Sequence, residues 1–112
     1  MATSREISDA GMELLARRFA VLGDPIRLKL LHALFEGEKS VNELVSLTSS
    51  TQPNVSRHLQ KLMHGGTVSR RKEGTTVFYA IADPTLLKLC ELVCGSLEKQ
   101  LNAQAEDFRR VD

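Results

Sequence analysis

Residues 49 to 62 constrain this chain more than any other stretch. They read Ser-Ser-Thr-Gln-Pro-Asn-Val-Ser-Arg-His-Leu-Gln-Lys-Leu. Ser49, Ser50 and Thr51 suit a turn and a helix N-cap, because a short hydroxyl accepts a hydrogen bond from the amides left open at a helix start. Pro53 falls in the first helical turn, where its missing N–H leaves no bond unmade. Val55, Leu59 and Leu62 recur at i, i+4 and i+7 and set one stripe toward a core. Gln52, Asn54, Ser56, Arg57, Gln60 and Lys61 fall away from that stripe. Amides and hydroxyls of this kind read base edges, and cations hold phosphates. His58, directly after Arg57, is a further candidate for a phosphate. A short helix with such a back and front suits recognition in the major groove of double-stranded DNA.

The distribution of charge agrees, although its total does not advertise a nucleic-acid binder. Net charge is only +1. From Leu44 through Lys72 there is no Asp or Glu, and Arg57, Lys61, Arg70, Arg71 and Lys72 make that window +5, which leaves the remainder of the chain at −4. A basic region on an otherwise acidic chain is the electrostatic footprint of a localised DNA face. The plainer alternative is a solvated surface that lacks acids.

The flanking pattern predicts five helices and a hairpin within one domain, residues 1–112. Ser8 or Asp9 caps a first helix, about 8–22, with Met12, Leu15, Phe19 and Leu22 at helical spacing and Gly23 as its stop. Asp24-Pro25 restarts a helix in which Ile26, Leu30, Ala33 and Leu34 face inward, and Gly37 ends it. His32 is expected to be a partly buried structural residue there. Ser40 and Glu43 have capping-box spacing and open a third helix with Val41, Leu44, Val45 and Leu47 as its apolar set. A turn from Thr48 to Thr51 joins it to the fourth, so the two form a helix-turn-helix. Gly65-Gly66 ends the fourth helix, and the apolar period changes to alternation. Val68 and the run from Thr75 to Ile81 read as two strands, with Arg70, Arg71 and Lys72 at the tip of the hairpin beside Gly74. Such a ribbon behind a recognition helix is the wing of a winged helix.

Asp83-Pro84 begins the last helix, about 84–105. Its stripe of Leu86, Cys90, Val93, Leu97 and Leu101 is long for the end of a small domain. Together with Met12, Leu15 and Phe19 it is expected to form a homodimer interface, since paired reading heads suit a palindromic site. Packing on its own core is the alternative. No apolar run approaches the roughly 20 residues that span a bilayer. The N-terminus shows no signal-peptide hydrophobic region, so no membrane is expected as partner and the cytoplasm is the expected location.

The order of these elements, with Gly23-Asp24-Pro25-Ile26-Arg27-Leu28, Gln52-Pro53-Asn54-Val55-Ser56-Arg57-His58-Leu59 and Thr76-Val77-Phe78-Tyr79, resembles the ArsR/SmtB family of bacterial repressors over about residues 12 to 100. The resemblance implies a homodimeric winged helix that represses transcription and releases DNA when an inducer binds. Family inducers include metal ions, arsenite, and reactive sulfur or oxidants. Metal sensors of the family often carry Cys-x-Cys before the turn, where this chain has Glu43-Leu44-Val45-Ser46-Leu47. Zinc sensors often use Asp and His on the final helix, where this chain has Asp83 and no His after position 64. Both metal sites are therefore expected to be absent, and no cofactor is expected.

Cys90 and Cys94 lie one turn apart. They are poorly placed for a disulfide within one helix, but a bridge to a partner's copy or capture of a soft ion remains open. Their place in the apolar stripe favours packing. Nothing in the chain marks an enzyme: it has no phosphate-cradling Gly loop, nucleophile elbow or paired-carboxylate cleft. In the expected mechanism Gln52, Asn54 and Ser56 contact bases, and Arg57 takes a guanine or a phosphate. Ser49, Ser50, Thr51 and Lys61 hold the backbone, and Arg70, Arg71 and Lys72 reach flanking phosphates or the minor groove. Two alternatives stand beside it: a DNA binder without an inducer, and a helix-turn-helix that serves as a protein-interaction module.

Overall fold

The computed structural model describes residues 6–101. The expected extension of the last helix beyond Leu101 lies outside the described residues. Five helices and a three-stranded sheet follow in the order α1 (Asp9–Leu22), α2 (Pro25–Leu34), β1 (Lys39–Ser40), α3 (Val41–Thr48), α4 (Gln52–His64), β2 (Val68–Glu73), β3 (Thr76–Ile81) and α5 (Thr85–Leu101).

The helix starts fall where short polar side chains satisfy the open amides. Ser8 accepts from Gly11 N at 3.0 Å. Asp24 accepts from Ile26 N at 2.8 Å and Arg27 N at 3.1 Å, with Pro25 in the first turn. Ser40 and Glu43 close a full capping box, and Thr51 caps α4. Each cap is a place where the chain enters a helix at a fixed angle, so together they set the directions of α2, α3 and α4.

Leucines from α2, α3 and α4 meet in the centre: Leu30, Leu31, Leu44, Val55, Leu59 and Leu62 are fully buried, and Val68, Tyr79 and Leu86 close the edges. Leu31 widens the inward face of α2 beyond the four expected positions. Its neighbour His32 is exposed instead of partly buried; the ring accepts no core position and lies edge-on to Phe35, with Nδ1 2.8 Å from Leu28 O. Leu47, expected in the apolar set of α3, is 59% exposed. The eight residues of α3 make only two turns, and the buried positions of the second are taken by Leu44 and Thr48.

The sheet order is β1-β3-β2, antiparallel throughout. The short strand β1 has no apolar alternation to announce it; it pairs Lys39 with Tyr79 and Ser40 with Phe78 just before α3 begins. Thr67 knits the wing to α4: it is fully buried, its hydroxyl donates to Leu62 O at 2.8 Å and its carbonyl accepts from Ala82 N at 2.9 Å.

Strand β2 runs through Arg70, Arg71 and Lys72, paired with Tyr79, Phe78 and Val77. The three cations are therefore in the strand and not at the hairpin tip. The tip is the Gly74-Thr75 turn between the paired Glu73 and Thr76, with Gly74 at φ 64°. A two-residue hairpin loop requires that left-handed conformation, which glycine adopts without penalty.

Candidate nucleic-acid interface

Thr51 turns the chain into α4, and the buried stripe of Val55, Leu59 and Leu62 fixes the rotation of that helix. Gln52, Pro53, Asn54, Arg57, Gln60 and Lys61 are left exposed or half-buried on the other side, with Ser56 at the margin. Ser49 ends α3 in the left-handed conformation, φ 56° and ψ 30°, and is the one non-glycine with positive φ among the described residues. That single reversal is what lets α3 and α4 follow each other so closely.

A groove of about 590 Å³ lies between α4 and the wing. Gln52, Ser56 and Gln60 line one wall, Arg70, Val77 and Tyr79 the other, and Ser40 and Asn42 close the end. Strand alternation decides which wing cations share this groove. Arg70 faces it, and Lys72 stands two residues on along the same side of β2. Arg71 points to the opposite side, where its guanidinium makes two 2.8 Å hydrogen bonds to Glu38 and one of 3.1 Å to Glu73, and lies 4.5 Å from the centre of the Phe78 ring. Those carboxylates hold the Arg71 pKa above its ordinary value, and Arg71 in turn lowers that of Glu38. The three cations of the sequence motif thus divide into two that make no ion pair among the described residues and one tied into the fold.

On α4 the side chains also hold each other. Asn54 Nδ2 donates to Ser50 Oγ at 2.7 Å, and Asn54 Oδ1 accepts from the Arg57 guanidinium. His58 is set apart from this row. It is half-buried toward α2, where its Nδ1 lies 3.1 Å from Arg27 Nη1. Guanidinium only donates, so Nδ1 accepts and the ring is neutral. Burial pushes the His58 pKa below its ordinary 6.5, with Asp24 opposing and Arg27 adding to the effect. The expected contact of His58 with phosphate gives way to this bond because the helix turns the ring toward α2. Asn42 joins the groove without having been singled out in the sequence, beside Gln60, expected on the outward side of α4; both carry an amide.

The family model for bacterial regulatory proteins of the arsR family matches residues 24–70. An uncharacterized HTH-type transcriptional regulator of Methanocaldococcus jannaschii is 39% identical over 79 residues, which cover 70% of this chain and 89% of that protein. The chain belongs to the arsR family. A probable mercury resistance operon repressor of Streptomyces lividans is 42% identical over 77 residues, covering 69% of this chain and 62% of the repressor. The chain thus spans less than two thirds of that curated relative's length. In space, the chain is similar to the homodimeric winged helix-turn-helix DNA-binding domain of Mb0332 from Mycobacterium bovis, described as a possible ArsR-family transcriptional regulator, with a TM-score of 0.76, 29% identity and full coverage of both chains. The match of the family model covers α2, α3, α4 and the start of β2, and so includes the α4 wall of the groove and Arg70 but not the β3 residues of the opposite wall.

Outside the groove, α1 and α5 expose their apolar sides. Met12, Leu15 and Phe19 of α1 and Leu87, Leu92, Val93, Leu97 and Leu101 of α5 are between 37% and 67% exposed. Leu86, expected among them, is 2% exposed and anchors α5 in the chain's own core. Cys90 and Cys94 are half-buried free thiols, and burial, then the neighbouring Cys94, raises the pKa of Cys90. Among the described residues no group of three His, Cys, Asp or Glu side chains gathers to hold a metal ion, and no helix is long and apolar enough to cross a membrane.

Proposed function

We propose that the chain is a sequence-specific DNA-binding repressor that acts as a homodimer in the cytoplasm and is released from a palindromic operator by an inducer. The observation that carries this reading is the convergence of Gln52, Ser56 and Gln60 of α4 with Arg70 of the wing on one groove. These are base-reading amides and a hydroxyl on a capped helix, flanked by a phosphate-binding cation, in a window free of acids. Residues 1–112 act as one winged helix-turn-helix domain, in which α1 and α5 join the two copies. The domain of Mb0332 is named as a homodimer, and the exposed apolar faces of α1 and α5 fit the same arrangement.

In this reading Gln52, Asn54 and Ser56 meet base edges near the start of α4, and Arg57 pairs with a guanine or a phosphate. Ser49, Ser50, Thr51 and Lys61 hold the sugar-phosphate backbone. Asn54 is already oriented by Ser50 and Arg57, so it presents a fixed amide and loses little side-chain freedom on binding. The test is a gel shift with the DNA upstream of the chain's own gene at two salt concentrations. Affinity should fall steeply with salt, as expected when phosphate contacts release counterions. Asn54→Ala should lower discrimination between that DNA and random duplex by about 1–3 kcal/mol. Binding that ignores both salt and the Asn54 substitution overturns the assignment.

A further inference from the structure

A second concavity, of about 740 Å³, lies on the other flank of α4, where α1 crosses its C-terminal end. Leu14, Ala20 and Val21 give it an apolar floor, and Arg17, Lys61 and His64 stand around it. Arg18 and Arg27 also border it but are engaged elsewhere: Arg18 pairs with Asp83 at 2.7 Å, and Arg27 donates to Val21 O at 2.6 Å. Arg17, Lys61 and His64 make no hydrogen bond or ion pair with another described residue, and no acid lines the concavity. The floor is built by close approach: a methyl group at Gly65 would stand 3.0 Å from Val21 Cγ2.

This flank is separate from the face assigned to dimer contacts. Leu14, Arg17 and Val21 recur at i, i+3 and i+7. At about 100° per residue, their stripe lies roughly 160° round α1 from that of Met12, Leu15 and Phe19. Leu14 is nevertheless 62% exposed, an apolar side chain with no cover from its own chain.

We propose that this concavity binds a small amphipathic anion, an organic carboxylate with an alkyl or aromatic body. The body lies on Leu14, Ala20 and Val21, and the carboxylate is held by Arg17 and by Lys61, which cannot hold a phosphate of the DNA backbone at the same time. Charge complementarity selects the occupant: Arg17 and Lys61, unpaired among the described residues and with no acid in the lining, favour an anion, and the apolar floor disfavours a fully hydrated one such as phosphate. A ligand there touches both α1 and α4, so it links a helix of the proposed dimer interface to the helix of the reading groove. That role as inducer rests on the repressor reading; the binding itself does not.

The test is an amide NMR titration of the full chain, without DNA, using octanoate and salicylate, with octanamide and salicylamide as neutral counterparts. Shifts should gather on residues 14–21 and 61–65, and the amides should bind at least tenfold more weakly. Arg17→Ala and Leu14→Asp should each weaken octanoate at least tenfold. Equal binding of the neutral amides, no response to either substitution, or shifts confined to residues 87–101 overturns the site. A random 24-base-pair duplex provides the competing outcome. If Arg17→Ala lowers duplex affinity and reduces the salt slope while octanoate binding is unchanged, the concavity contacts phosphate and the proposal is wrong. Octanoate should also weaken binding to the upstream DNA about fivefold or more. Carboxylate binding with no such change removes the inducer role alone, while failure of the ligand-free chain to bind DNA removes the repressor reading alone.

Discussion

At the scale of single residues, the site depends on one left-handed backbone conformation and one neutral imidazole. Ser49 holds φ 56° between α3 and α4, a conformation that costs a non-glycine residue about 1 kcal/mol. Ser49→Gly should raise stability by up to that amount in urea titration while weakening DNA binding, because the hydroxyl proposed to hold the backbone is lost. Equal DNA affinity would remove Ser49 from the interface. His58 makes a pH prediction. The folded chain keeps its imidazole neutral against Arg27, with a pKa below 6.5, so the unfolded chain takes up the proton first as pH falls. Its contribution is complete above pH 6.5 and is lost as pH drops through the lower folded value. Urea midpoints should therefore fall between pH 7.5 and 5.5, and His58→Gln should flatten that change. The outward placement of Gln52, Asn54, Arg57, Gln60 and Lys61 on α4 was legible because the leucine stripe fixes which side of the helix is buried. The orientation of His58 was not, because it sits at the margin of that stripe and its partner Arg27 is 31 residues away in sequence.

At the scale of elements, helices announced themselves and strands did so unevenly. Ser8, Asp24, Ser40 and Thr51 act locally, within three residues of the amides they cap, so the starts of α1 to α4 could be read from the chain directly. The wing was legible as a hairpin, but its register was not. Arg70, Arg71 and Lys72 look alike in sequence, and only pairing with Tyr79, Phe78 and Val77 puts Arg71 on the side of Glu38. β1 is two residues long and exists only because β3 offers it an edge. The register yields a prediction that the sequence motif alone does not. Arg70→Ala and Lys72→Ala should each reduce the slope of log affinity against log salt by about one unit in DNA titrations. Arg71→Ala should change that slope less, because its guanidinium is committed to Glu38 and Glu73; its effect should instead resemble that of Glu38→Ala, which unties the wing from the segment before β1. A slope change for Arg71→Ala as large as for Arg70→Ala would mean that Arg71 leaves its carboxylates for phosphate.

At the scale of the whole molecule, the distribution of apolar surface is hard to reconcile with a solitary chain. α5 buries Leu86 against the core and then carries Leu87, Leu92, Val93, Leu97 and Leu101 outward over its remaining turns, while α1 exposes Met12, Leu15 and Phe19. Exposed apolar groups gathered on two helices mark an interface, whereas scattered ones need no explanation. The period of the α5 stripe was readable from the sequence, but its division was not: Leu86 continues the same helical spacing as Val93 and Leu97 and belongs to a different surface. That division can be tested by substitution. Phe19→Glu and Val93→Glu each place a charge on the exposed faces, where it costs nothing in a free protomer but must be desolvated between two. Both should keep their helical circular dichroism, sediment as monomers, and bind upstream DNA at least tenfold more weakly, because one reading head then engages the site without the other. Leu86→Ala should do the reverse. It removes a buried side chain from the protomer's own core, at a cost of about 2–5 kcal/mol, and should lower the unfolding midpoint at fixed protein concentration without separating the copies that remain folded. A dimeric Phe19→Glu protein with full DNA affinity would assign that face to some other contact and place the contact between the two copies elsewhere.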